Sequence, residues 1–353
     1  MIDFFDERIT RRDFLKRSFG FTSALLFTQN VNSRHTRFQM IRRLNSHSNL
    51  LGRILADHAG SYEKPSRTSK LLHTYQFNDL VEISQTVLGE KNNPYNHKWF
   101  ALSDGSYLPT TLAQPVESHI NLIQNKINIR GELAQVTVPF TQAVPAKQNH
   151  QKKEQLFYYG STHWVYGIIS EADGRQYYRV KEDRWGDVYY VLAEHLDIFS
   201  VDELQPLHVS APAENKRIEV SLQDQLLIAF EGEKAVFLAR TSSGTSIAPP
   251  NRATPEGTYY INYKRPSRHM LHTDRVYMED IELFGVPWVS YFTETGIAFH
   301  GTYWHNDFGV PHSHGCINLS IPAARWIYLW SQPVVPPLEH TFVSKTGTKV
   351  IVY

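Results

Sequence analysis

The residues able to do chemistry gather in one stretch of this sequence. Its single cysteine, Cys316, stands in Ser313-His314-Gly315-Cys316-Ile317-Asn318. One cysteine forms no intramolecular disulfide and supplies neither a CxxC nor a Cys₂His₂ zinc site. It can act as a nucleophile. A thiol of pKa about 8.5 is only slightly ionised at neutral pH, so an imidazole must take its proton or stabilise the thiolate. His300 and His314 are the candidates. His314 lies two residues away and points off at a different angle, whereas His300 arrives from another strand and can approach face-on. His300 is therefore the expected base, holding the sulfur ionised. Gly315 lets the backbone turn sharply and frees amides, that of Cys316 included, to face an oxyanion. Losing one such donor typically costs about 3–4 kcal/mol of transition-state stabilisation. His300, His305, His312, His314 and Cys316 together could also suggest a metal site. Structural zinc sites use tighter pair spacings, and four histidines with one thiolate is not a usual set. His305 and His312 read as loop residues, and an inert Cys316 would leave the Ser-His-Gly-Cys segment unexplained.

These residues need elements to hold them. Ile297-Ala298-Phe299 reads as a buried strand delivering His300 at its end. After the cysteine, Ser320 suits an N-cap and Pro322 a first helical turn. Ala323, Trp326, Ile327 and Trp330 recur at helical spacing, so a short helix packs behind Cys316. Upstream, Lys216–Leu222 alternates with period two, and Leu226–Phe230, Glu231-Gly232-Glu233 and Ala235–Ala239 make a hairpin. Thr254-Pro255-Glu256-Gly257 is a type I turn feeding a strand at Thr258–Tyr263. A last strand spans Lys349–Tyr353. This part is mainly β.

With those residues in view, residues 216–353 resemble the L,D-transpeptidase catalytic domain (the YkuD fold), whose signature is a histidine followed by S-H-G-C-x-N/R. The separation of 16 between His300 and Cys316 suits it. The resemblance implies a β-sandwich with a short helix after the catalytic cysteine, and no cofactor or metal. It implies Cys316 as nucleophile and His300 as base, with the Gly301 carbonyl fixing the tautomer. Many members carry a serine where this chain has Gly301. Ser313, His314 and Gly315 would shape the oxyanion side, and Asn318 would brace the loop beside substrate. Trp288, Tyr291, Tyr303 and Trp304 could wall a substrate groove, or be core. The implied partners are peptidoglycan stem peptides, as donor and acceptor. Cys316 would attack the amide after the third stem residue, expel the terminal D-residue, and pass the acyl group to a neighbouring amine as a 3-3 cross-link. With water as acceptor the enzyme would be an L,D-carboxypeptidase. The reading from another class is a non-catalytic cell-wall-binding protein.

The rest of the chain sets the context. It has 353 residues, 41% hydrophobic, 13% aromatic and 20% charged, which predicts two or three domains with real cores and excludes a disordered, collagen-like or coiled-coil protein. Net charge is +1, so nothing suggests a nucleic-acid partner. From Lys16 to Arg43 there are six Lys/Arg and no acidic residue, around the short apolar run Phe19–Phe27. Thr10-Arg11-Arg12-Asp13-Phe14-Leu15-Lys16 just before it resembles the twin-arginine signal that exports folded proteins. The alternative is a basic amphipathic helix. Residues 1–50 are thus expected to be signal and linker, and the protein extracytoplasmic, in the cell envelope. Membrane contact is expected only through the leader, if uncleaved. Short strands with turn signals over 51–128, and again over 129–212, predict two small SH3-like β-barrels. Trp99–Val116 and Tyr178–Ile198 share a layout of aromatic strand, charged turn, second strand and short exit. Their clustered aromatics read as core more than as a ligand groove. A linker at Pro206–Asn215 precedes the catalytic domain, 216–353.

Overall fold

The computed structural model describes residues 50–146, 153–245, 252–274 and 279–353, with the backbone alone over 272–274 and 279–281. The leader, the arginine pair, the linker to residue 49 and most of the polar break at Gln148–Glu154 lie outside them.

The first sheet holds β1 (Leu50–Ile54), β2 (Ala59–Tyr62), β3 (Leu71–Tyr75), β4 (Leu80–Asn93), β5 (Asn96–Leu102), β6 (Tyr107–Pro109) and β7 (Ala113–Val116). Its order is β3-β2-β6-β5-β4-β1-β7. The second holds β8 (Glu132–Val136), β9 (Phe140–Pro145), β10 (Gln155–Tyr158), β11 (Thr162–Ser170), β12 (Gln176–Lys181), β13 (Val188–Leu192) and β14 (Leu196–Ile198). Its order is β10-β9-β13-β12-β11-β8-β14. Shifted by seven strands, the two orders are identical. Each also places a 3-10 turn, Thr110–Leu112 or Ala193–His195, before its last strand. The shared layout of Trp99–Val116 and Tyr178–Ile198 is therefore one corner of a repeated topology. Alternation sets the faces: Tyr178 and Tyr189 are buried in the second core while their neighbours Tyr177 and Tyr190 are only half-buried.

The remaining strands form two five-stranded sheets. One is ordered β17 (Lys234–Arg240), β16 (Leu226–Glu231), β15 (Lys216–Ser221), β24 (Lys349–Val352), β18 (Gly257–Tyr260). The other is ordered β22 (Ile317–Leu319), β21 (Ala298–Gly301), β20 (Glu279–Tyr291), β19 (Tyr263–Asp274), β23 (Phe342–Val343). Ile218, Val220 and Val350 from the first sheet meet Trp288, Phe299, Ile317 and Leu319 from the second in one core. Ala323, Ala324, Ile327 and Trp330 of helix α1 (Ile321–Trp330) join it. Leu133 and Trp164 of the second sheet enter that core too, and the described residues belong to one compact unit.

Two local expectations change. Ser320 is the residue before α1, but its hydroxyl makes no capping hydrogen bond. The strand expected at Thr258–Tyr263 breaks after Tyr260 and restarts at Tyr263 as β19. β19 pairs along its length with β20, a long hairpin absent from the sequence reading. Among the described residues no helix is long and apolar enough to cross a membrane.

Candidate active site

Strand register brings the two reactive side chains to one face. β21 and β22 run parallel, with Phe299 opposite Ile317 and His300 opposite Asn318. Phe299 and Ile317 point into the main core. Alternation then turns Ala298, His300, Cys316 and Asn318 to the other face. Cys316 stands diagonally across from His300, at a Cα separation of roughly 8 Å from strand spacing and rise. The Cys316 thiol donates to the Gly296 carbonyl at 4.0 Å, and Cys316, Tyr291 and Trp304 each pack against a small cluster that includes Ala298.

His300 is 3% exposed. Its Nδ1 donates to the Gly301 carbonyl at 3.2 Å, which leaves Nε2 to take a proton. Burial lowers its pKa to about 4, against the opposing pull of that carbonyl. Burial pushes the Cys316 thiol up, partly offset by the Ala298 backbone. Both shifts favour the neutral thiol and the neutral imidazole, where the sequence reading has the sulfur ionised. The difference is desolvation: a ring buried this deeply is a poor cation, so it gives the thiolate no charge to lean on.

The bend before Cys316 is tied from inside. Gly315 has φ +120°, a conformation that favours glycine. The Ser313 hydroxyl donates to the Cys316 carbonyl and accepts the Gly315 amide at 3.1 Å. Ser313 thus shapes the turn, and the Gly315 amide is engaged there. The Gly315 carbonyl accepts from Thr254 Oγ1 at 2.7 Å, and that same oxygen accepts the Gly244 amide at 2.9 Å. A Cβ on Gly244 would fall 2.0 Å from the Arg252 carbonyl oxygen and 2.7 Å from Gly315 Cα. Ser242 exchanges both backbone hydrogen bonds with Asn318, at 3.0 and 2.9 Å. Gln225 and Ser243 bond each other twice at 2.8 Å. Sequence reasoning missed Gln225, Ser243 and Gly244 and read Thr254 only as a turn residue, although the run Thr241-Ser242-Ser243-Gly244-Thr245 signals close backbone packing.

The other sites sort by burial. Asn318 is buried, and its Nδ2 donates to His305 Nε2 at 2.8 Å, which ties the cysteine segment to the loop before it. His305 stacks on His312 with centroids 4.7 Å apart. His314 is exposed on the outer side of the bend, its Nε2 accepting from Arg252. Trp288 is wholly buried among Phe199 and Tyr328, each 5.4 Å away, and walls no groove. Tyr303 is likewise buried, donating to the Phe284 carbonyl at 2.8 Å and stacking on Tyr158. Trp288 lies on β20 and Tyr303 in the loop after β21, and both side chains turn inward. Tyr291 and Trp304 do flank the site. Tyr291 stacks on Tyr263 at 4.9 Å, and burial and the neighbouring Cys316 help push its pKa up to about 12. The Trp304 ring lies 5.7 Å from that of His300. Among the described residues no three His, Cys, Asp or Glu are grouped to hold a metal ion.

The register thus places a strand-borne imidazole and a thiol beside a glycine bend on one face. Residues 215–352 match the family model YkuD, the L,D-transpeptidase catalytic domain. The chain is 31% identical over 121 residues to YciB of Bacillus subtilis (strain 168), a protein whose name gives L,D-transpeptidase as a provisional assignment. That match covers 31% of this chain and 58% of YciB. Among solved structures, the L,D-transpeptidase (residues 123–326) from Xylanimonas cellulosilytica DSM 15894 is similar at 26% identity and a TM-score of 0.28, over 39% of this chain and 60% of that one. The catalytic domain of the E. faecium L,D-transpeptidase is similar at 23% identity and a TM-score of 0.31, over 40% and 98%.

Proposed function

We propose that this chain is an exported cysteine L,D-transpeptidase that forms 3-3 cross-links between peptidoglycan stem peptides through a thioacyl-enzyme. The carrying observation is the placement of His300 and Cys316 on one face of paired strands, with Nδ1 held by the Gly301 carbonyl. As Cys316 Sγ attacks the carbonyl carbon after the third stem residue, its proton moves to His300 Nε2. The Cys316 amide is the donor best placed for the oxyanion, since the Gly315 amide is held by Ser313. The tetrahedral centre then collapses: the C–N bond breaks, the terminal D-residue leaves as an amine with the proton from Nε2, and a thioester remains. An imidazole of low basicity makes a strong acid for that second transfer. The acceptor amine gives its proton to His300 and attacks the thioester. The amide forms, and the thiol leaves with the proton. A neutral resting pair suits this sequence because each proton moves only while a bond is forming or breaking.

Export follows from the same reading, since stem peptides are cross-linked outside the membrane, and Thr10–Lys16 supports the twin-arginine route. The shared strand order supports SH3-like units at 51–128 and 129–212 ahead of the catalytic domain, 216–353.

The purified protein, incubated with a tetrapeptide-stem fragment, is expected to release terminal D-alanine and yield dimers by mass spectrometry. Cys316→Ala should lose both products by roughly a thousandfold or more. Unchanged turnover in that variant would sink the mechanism. Trimmed stems without dimers would assign water as the acceptor and make the enzyme a carboxypeptidase.

A further inference from the structure

We propose that Arg53, on the first strand of the first sheet, is a positioning residue for His300, acting through the loop that joins the catalytic histidine to the catalytic cysteine. The inference rests on the reading of His300 and Cys316 as base and nucleophile. Arg53 is 1% exposed. Its Nη2 donates to the Tyr303 carbonyl, three residues beyond His300. Nε and Nη2 both donate to Gln114 Oε1, at 3.2 and 2.8 Å, and Nη1 donates to Asn78 Oδ1 at 2.8 Å. The guanidinium also lies 4.4 Å from the centroid of the Tyr158 ring, in the second sheet. Every acceptor in that set is neutral. A buried cation held by neutral acceptors is costly, and a packing role alone would be met by an apolar side chain. What the planar fork adds is direction: several N–H groups fixed at once, one of them on the Tyr303 carbonyl.

Arg53 does not act alone on this loop. Asn306 Nδ2 donates to the carbonyls of Thr110 and Ala113 at 2.8 and 3.1 Å. Asn93 Nδ2 donates to Asp307 Oδ1 at 2.7 Å and to the Phe308 carbonyl at 3.1 Å. The first sheet therefore grips the loop at residues 303, 306, 307 and 308. From the opposite side, Ser242 Oγ donates to the Asp307 carbonyl at 2.9 Å, and the Gly309 amide donates to the Thr241 carbonyl at 2.8 Å. Between these anchors the Trp304 ring lies 5.7 Å from that of His300, and Trp304 packs against the same small cluster as Cys316. A shift of the Tyr303 carbonyl thus moves Trp304, and with it one wall of the imidazole. The first sheet is part of the scaffold of the catalytic centre.

The test uses the full chain with Arg53→Met and Arg53→Lys, read by thermal melting, by kcat and KM on a tetrapeptide-stem fragment, and by the pH profile of Cys316 alkylation with iodoacetamide. In a cooperatively melting Arg53→Met protein, kcat should fall roughly ten- to a hundredfold, since a misplacement of about 1 Å can cost a hundredfold. KM should stay within about twofold, because no substrate contact is removed. Alkylation should slow at pH 7 and its profile move to higher pH, and Arg53→Lys should recover part of each loss. A folded Arg53→Met protein with wild-type kcat and alkylation profile would overturn the proposal. If that variant does not fold, Asn306→Ala decides by the same two readouts. If the wild type turns over no stem fragment, the transpeptidase reading fails while the alkylation profiles still decide the role of Arg53.

Discussion

Gly301 shows how much one missing atom decides. Its carbonyl holds His300 Nδ1, and an added Cβ would sit 2.9 Å from Pro287 Cγ and 3.1 Å from Ile321 Cα. A side chain here presses on both neighbours. Gly301→Ser should therefore push β21 away from α1, cost about 1–3 kcal/mol and lower activity together with melting temperature. A variant as stable and active as the wild type would show that the neighbours yield freely. At this scale the sequence is most legible where chemistry is local. Cys316, Gly315 and His300 announce themselves because a thiol needs a base and a bend needs a glycine. Trp288 and Tyr303 misled because an aromatic residue near a site looks the same whether it faces substrate or core. Only the face of the strand decides, and a positive φ at Trp288 breaks the simple alternation that would have shown it.

Helix α1, behind the cysteine bend, depends on two lysines for its C-terminal end. Lys264 is wholly buried, and its Nζ donates to the carbonyls of Tyr328, Ser331 and Pro333 at 2.6–2.8 Å. Lys216 Nζ donates to the Trp330 carbonyl at 3.0 Å. Burial pulls the Lys264 pKa down, yet three carbonyls match the three N–H bonds of the ammonium, and a cation suits a helix C-terminus. Lys264→Met would strand three buried acceptors, each worth about 1–3 kcal/mol. The melting temperature should fall by on the order of 10 °C, more than for Lys216→Met; the opposite ranking would refute this account. The helix itself was readable from Ala323, Trp326, Ile327 and Trp330, whereas its far cap was not. A lysine 64 residues before the carbonyl it meets leaves no local trace. The β19–β20 hairpin escaped for a related reason: a register shift between Arg268 and Met270 interrupts its alternation, and Pro266 and Pro287 interrupt its strand character.

Across the whole molecule, several buried histidines set a common dependence on pH. Burial lowers His300 to about 4, and His163 and His305 to about 3. Unfolded rings titrate near 6.5, so between that value and the folded values the unfolded chain binds more protons. Their contribution is complete above about pH 6.5 and is lost as pH falls; at pH 5 each ring forfeits about 2 kcal/mol. Thermal melts from pH 7 to 4.5 should show a steep decline, and a flat profile would contradict the burial of these rings. The duplicated layout of the two N-terminal sheets was visible in sequence only at one corner, since strand order is a long-range property. At the register position of Arg53, opposite Gln114, the second sheet has Gln135 opposite Asp197. One frame thus serves two surroundings. The sheet that closes the catalytic domain carries a kinetic consequence. β24 lies between β15 and β18, pairing Val350 with Ile218 across 132 positions. The hairpin on one side and the lone strand on the other stay unjoined until that segment threads between them. Closing so long a loop is slow, so newly made chains should linger with β15 exposed as an open edge, at the stage when they are most prone to clump.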